Sequence, residues 1–191
     1  RNSVKSSSLP DLRKYPSGTP RKKAFLRTVM PYITSQNAAI TAERNWLISK
    51  QYQGQWSPAE RARLKDIAKR YKVKWSGNTR KIPWNTLLER VDIIPTSMVA
   101  TMAAAESGWG TSKLARNNNN LFGMKCMKGR CTNAPGKVKG YSQFSSVKES
   151  VSAYVTNLNT HPAYSSFRKS RAQLRKAAVS YTHLRAHETA A

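Results

Sequence analysis

Acidic residues are scarce in this chain. Against 34 Lys and Arg, its 191 residues include only 9 Asp and Glu, for a formal charge of +25. Such an excess points to an anionic partner or surface. There are only 3 His and 2 Cys, too few to build a multi-residue zinc site or a disulfide scaffold, so no metal and no other cofactor is expected. No apolar run is long enough to span a bilayer. The best, Ile93 to Ala105, is short and contains Pro95 and two Thr. The chain begins at Arg1 rather than Met, which leaves room for a signal peptide or anchor that was removed or never captured.

The sequence does contain material for a core: 39% apolar residues and 5 Trp, at a length that suits one domain better than two. Arg1 to Pro20, rich in Ser, Pro and Lys and without an apolar period, reads as a linker. From Arg21, the residues Phe25, Leu26, Val29, Ile33, Ile40, Trp46 and Leu47 follow helical spacing interrupted at Pro31, giving two helices or one kinked helix. Ser57-Pro58-Ala59-Glu60 has capping-box spacing ahead of Leu64, Ile67, Ala68 and Tyr71, which marks a helix start. Short helices are expected from Pro83-Trp84 to Val91 and from Pro95 to Ser107-Gly108, the glycine acting as a left-handed stop. Asn117 to Cys131 reads as irregular loop, Val138 to Phe144 as a small hairpin arm, and Ser146 to Asn159 as a helix. The expected fold is mainly α (α+β): a helical domain over residues 21–179 with a small β/loop lobe. Residues 180–191 resemble the translation of a sequencing adapter and are set apart from functional reasoning.

Glu106 is the carboxylate to weigh. On a helix it follows Ala103, Met102, Val99 and Met98 at three, four, seven and eight residues, which places it on an apolar stripe next to the negative end of the helix. Burial and that dipole both favour the protonated carboxyl, the form that general acid catalysis on a glycosidic oxygen needs. Trp109 beside it offers an apolar wall or a plate for a sugar ring. The bland alternative is a buried ion pair with one of the many cations.

Other constellations are thinner. A Ser-His-Asp triad would depend on His161, and no nucleophile-elbow glycine pattern flanks any Ser. Cys126 and Cys131 suit a small loop closure. They would form a disulfide in an oxidising compartment, and two reduced thiols fit equally well. The basic runs Arg21-Lys22-Lys23, Lys65 to Lys74 and Lys125 to Lys139, with Tyr71, Trp75 and Phe122 among them, allow a nucleic-acid-binding module as the alternative reading. No nucleic-acid-binding motif accompanies them, and no specific nucleic acid is expected.

Ala104-Ala105-Glu106-Ser107-Gly108-Trp109-Gly110-Thr111-Ser112, then Ala115, then Asn119-Asn120-Leu121-Phe122-Gly123-Met124-Lys125, closely resembles the glucosaminidase family of peptidoglycan hydrolases. Phe144-Ser145-Ser146-Val147-Lys148-Glu149-Ser150-Val151 with Tyr154 matches a later segment of that family, and His161-Pro162-Ala163-Tyr164 resembles a bacterial envelope branch of it. The resemblance implies a lysozyme-like fold and cleavage of the β-linked N-acetylglucosaminyl bond in peptidoglycan, with a lytic transglycosylase as the variant on the same fold. It implies Glu106 as the acid and Asn119, Asn120, Phe122, Tyr141, Phe144 and Tyr164, with Trp109, as glycan contacts. Its implied setting is the bacterial envelope, periplasmic or exported, facing peptidoglycan strands and anionic surface. Between Glu106 and Glu149 there is no Asp or Glu, and Glu149 is expected to cap its helix or to pair rather than to catalyse. The second actor is then either the substrate's own N-acetyl group or a distant group such as Asp92, Glu89 or Tyr164.

Overall fold

Capping residues and several prolines and glycines divide the described residues into seven α-helices. The computed structural model describes residues 9–126, 131 and 134–190. Residues 1–8 of the expected linker, residues 127–130 of the expected loop, and residues 132–133 and 191 lie outside the described residues. The helices are α1 (Thr19–Lys50), α2 (Pro58–Arg70), α3 (Trp84–Arg90), α4 (Thr96–Ser107), α5 (Lys113–Asn118), α6 (Val147–Thr160) and α7 (Ser165–Ala190), with single 3₁₀ turns at Leu12–Lys14 and Pro162–Tyr164. The mainly helical expectation holds. The small β/loop lobe is loop: among the described residues its only pairing is an isolated antiparallel bridge between Lys125 and Tyr141.

The chain resolves into two compact units where the sequence suggests a single domain. One comprises the described residues up to Ala39 together with Ile94–Val155, the other Ile40–Ile93 and the described residues from Thr156. In the first, Phe25, Val29 and Ile33 of α1 are fully buried, as are Ile94, Val99, Ala103, Ala115, Leu121 and Val147. Pro31 lies inside α1, which continues through it as one helix. The proline and Arg27, whose carbonyl loses its partner, are both exposed, so water can replace that bond.

The expected linker is partly core. Leu12 is fully buried, Asp11 caps its turn by accepting from the Arg13 N–H at 3.1 Å, and Arg21 donates to the carbonyls of Leu12 and Tyr15. Arg13 also holds the Asp11 carboxyl down at about 2. Polar composition hid the contribution of one leucine.

In the second unit, Ser57 and Glu60 form the expected capping box at 3.1 and 2.9 Å, and Leu64 and Ile67 fill the core with Ile40, Leu47 and Leu87. The same unit is held by a polar device. Asp92, 1% exposed, accepts two hydrogen bonds from Arg175, with Arg44 at 3.5 Å and Arg171 at 3.7 Å. Burial pushes its carboxyl upward, but the Arg175 bonds, the Arg44 charge, the Ile93 N–H and the Arg171 charge outweigh it and hold it below the usual range. Arg171 donates to the carbonyls of Glu89, Asp92 and Ile93 and to the Asn159 side chain. Burial brings its guanidinium down to about 10. Arg168, 3% exposed, donates to the carbonyls of Leu158 and His161. Thus α7 docks through Arg168, Arg171 and Arg175, at i, i+3 and i+7.

Candidate active site

The first unit holds all the proposed site residues except Tyr164. α4 begins after Pro95 and ends at Gly108, which is left-handed with φ 56°. Trp109 and Gly110 continue in the same region, at φ 56° and 80°. Such a run is costly for a tryptophan, and it is held in place from below. The Ser107 hydroxyl, fully buried, donates to the Ala103 carbonyl and accepts from the Gly110 N–H at 2.9 Å. A methyl group at Gly110 would meet Leu12 Cδ1 at 2.5 Å and Phe25 at 3.2 Å, so only glycine fits there.

Glu106 is exposed, which corrects the expectation of a buried acid. The core face of α4 is Val99, Ala100, Ala103, Ala104 and Ser107. Glu106 lies on the edge of that stripe with Thr101, Met102 and Ala105, also exposed. The methionines suggested an apolar face, but the small residues pack inward, because they allow closer approach than Met98 or Met102 would. The alternative of an ion pair is not realised either: among the described residues no hydrogen bond or salt bridge engages the Glu106 carboxylate.

The Asn-rich segment comes up against that carboxylate. Ser112 caps α5, accepting from the Ala115 N–H, and α5 stops at Asn119, left-handed at φ 52°. The chain then turns through Leu121 and Phe122 to Gly123, φ 63°, where an added methyl would stand 3.1 Å from Glu106 Oε2. The backbone of the Asn-Asn-Leu-Phe-Gly segment therefore abuts the Glu106 carboxylate with no side chain between them.

Three asparagines hold the loop in place. Asn119 donates to the Phe144 carbonyl at 3.0 Å. Asn120, 1% exposed, donates to the carbonyls of Met124 and Ser142 and accepts from the N–H groups of Phe122 and Met124. Its amide is thus satisfied by backbone, and any effect on a ligand passes through the loop it shapes. Asn118, which the sequence reading did not single out, is fully buried, donates to the Val138 carbonyl and accepts from its N–H at 2.8 Å. The run of four asparagines was the available signal, since buried amides commonly satisfy backbone where no strand does.

The aromatic residues divide. Phe122 is buried and stacked on Tyr154 with ring centres 4.2 Å apart and planes 4° apart. Phe144 is 2% exposed, and its N–H donates to the Asn118 carbonyl. Tyr141 is half-buried at the single bridge. Trp109 is half-buried, edge-on to Phe25 at 5.5 Å, with the Lys22 ammonium 5.1 Å from its ring centre. Tyr164 belongs to the second unit, where its ring meets His161 at 6.2 Å. Cys126 and Cys131 are joined as a disulfide, with Cα atoms 5.2 Å apart.

The other carboxylates of the first unit are engaged. Asp11 is bound by Arg13. Glu149 accepts from the Ser145 N–H and hydroxyl, while its own N–H donates to Ser146, so it caps α6 as expected. Asp92, offered as a distant helper, is enclosed by arginines in the second unit, which also contains Glu89. Among the described residues no group of three His, Cys, Asp or Glu converges on a common point.

A family model described as glucosaminidase, mannosyl-glycoprotein endo-beta-N-acetylglucosaminidase, matches residues 83–188, more than half of the chain. The chain belongs to the glucosaminidase family. It is also 99% identical, over 177 residues and 93% of its length, to the protein named Protein bax of Escherichia coli (strain K12). It spans 65% of that protein's length. The resemblance of the His161-Pro162-Ala163-Tyr164 stretch to one branch of the family agrees with this similarity. No solved structure matches the chain. The glucosaminidase match includes Glu106, Gly123 and the asparagine-anchored loop.

Proposed function

We propose that the chain is a peptidoglycan hydrolase that cleaves the β-linked N-acetylglucosaminyl bond of the glycan strand, with Glu106 as its general acid. Family membership supports a glycosidase. The observation that carries the assignment is the state of the carboxylates in the first unit: Asp11 and Glu149 are bound by their neighbours, whereas Glu106 stands exposed with no hydrogen bond or ion pair among the described residues, against the Gly123 backbone. An unengaged acid beside main chain is available to a glycosidic oxygen.

A two-carboxylate mechanism has no second free acid in this unit, so the reading favours substrate assistance. Glu106 gives its proton to the leaving oxygen as the acetamido carbonyl oxygen of the same sugar attacks C1 and the glycosidic bond breaks. Water then opens the cyclic intermediate, returning a proton to Glu106 and leaving a reducing N-acetylglucosamine end with retained configuration. Phe122, Asn119 and Asn120 hold the loop beside the acid, and the part-exposed Trp109 and Tyr141 are proposed as glycan contacts; Phe144, 2% exposed, is core and offers no face to a glycan. The setting proposed is the bacterial envelope, where a charge of +25 suits phosphate-bearing glycans and lipids. Among the described residues no helix is long and apolar enough to cross a membrane.

Mass spectrometry of digested peptidoglycan tests the bond. Reducing N-acetylglucosamine ends are expected. Anhydro-muramic ends would make the chain a lytic transglycosylase and overturn the hydrolytic step.

A further inference from the structure

The second unit has a surface cavity of about 390 Å³ lined by Pro58, Arg61, Ala62 and Lys65 of α2 and by Trp75 and Gly77 of the following loop. That volume falls in the range of small-ligand sites. Arg61 and Lys65, one helical turn apart, are both exposed. Among the described residues neither makes an ion pair, and the acids of the same helix are committed elsewhere, Glu60 to Lys50 and Asp66 to Arg70. Trp75 forms the facing wall. Its indole N–H donates to the Asn78 carbonyl at 2.9 Å, which fixes the ring, and one Arg61 nitrogen donates to the Gly77 carbonyl at 3.3 Å, which ties helix to loop. The cavity thus combines a positioned aromatic face with two unneutralised cations.

We infer that this cavity is a second glycan-binding site, taking a sugar ring that carries one anionic group: the ring against Trp75 and the carboxylate or phosphate against Arg61 and Lys65. Sugar rings pack on indole faces through their C–H bonds, and a charge-assisted pair of donors adds selection for an acidic sugar. The choice of a saccharide rests on the glycosidase reading, whereas the cationic aromatic cavity stands without it. Such a site would hold the enzyme on its polymer between cleavages.

Nuclear magnetic resonance of the indole N–H signals of the full chain tests this, with the Trp75 signal assigned by its loss in Trp75→Phe. N-acetylmuramic acid and N-acetylglucosamine 1-phosphate are the probes for the two anion types, and N-acetylglucosamine is the neutral control. The acidic sugars are expected to move the Trp75 signal at concentrations about tenfold below the neutral one. In Arg61→Gln/Lys65→Gln, whose changes are both on exposed side chains, that preference should vanish. A response to only one acidic sugar supports the site and fixes its anion. No response to any sugar, equal response to neutral and acidic sugars, or equal response to inorganic phosphate alone overturns the inference. A single-stranded oligonucleotide acting at lower concentration than the acidic sugars overturns it in favour of nucleic acid. Glu106→Gln should leave this binding unchanged, so loss of hydrolysis and loss of this site are read separately.

Discussion

Gly123 stands directly against Glu106: a single methyl group added to its Cα would come within 3.1 Å of the Glu106 Oε2 atom, at a backbone angle, φ 63°, that suits glycine. Two segments that share no secondary structure, the end of α4 and the loop after α5, therefore meet at one carboxylate. On the proposed mechanism this contact positions the acid.

Gly123→Ala is expected to displace the Glu106 carboxylate and to cost about 1–2 kcal/mol in stability from the left-handed backbone. Lysis of peptidoglycan should fall further than the loss of folded protein explains. Melting curves and lysis rates measured on the same sample check this, and a variant with unchanged lysis would remove the positioning role.

Asn118→Ala should open the loop from below. It leaves the part-buried Val138 N–H and carbonyl without their partner, at about 1 kcal/mol. Hydrogen exchange should rise at Val138 and the bridge between Lys125 and Tyr141, and stay constant in α2.

Gly110→Ala is expected to destabilise the first unit by about 1–3 kcal/mol, because the new methyl overlaps Leu12 and the backbone has φ 80°. Leu12→Ala in the same chain should restore part of the loss, since the overlap is with Leu12 Cδ1. Additive losses would show that the two residues do not compete for the same space.

Asp92 supplies a pH dependence. Its folded carboxyl is held below the ordinary value, so its contribution is fully present above the unfolded value of about 3.9 and is lost as pH falls through the lower folded value. Asp92→Asn leaves Arg44, Arg171 and Arg175 facing one another and should cost about 3–5 kcal/mol. Thermal unfolding from pH 7 to pH 2 should show the wild type losing its advantage over the variant in the acid range.

The local signals in the sequence were read correctly where they depended on near neighbours. The Ser57 and Glu60 box, the Gly108 stop and the Glu149 cap each involve residues within four positions. What failed to show depended on distant partners. α7 docks through arginines to Asp92, 83 residues away for Arg175, so it has no apolar period to detect. Leu12 became core because Gly110 leaves it room. Glu106 was expected inside because Met98 and Met102 are apolar, yet alanines won the inward face. The hairpin expected over Val138 to Phe144 reduces to one bridge because Asn118 and Asn120 take up the backbone groups that a strand would have paired.

Peptidoglycan digestion by purified chain, compared with Glu106→Gln, tests the central claim most directly. The wild type should release fragments ending in reducing N-acetylglucosamine. Glu106→Gln should slow release by about a hundredfold or more with its melting temperature unchanged. Lysis by Glu106→Gln at the wild-type rate would contradict the assignment of Glu106 as the acid.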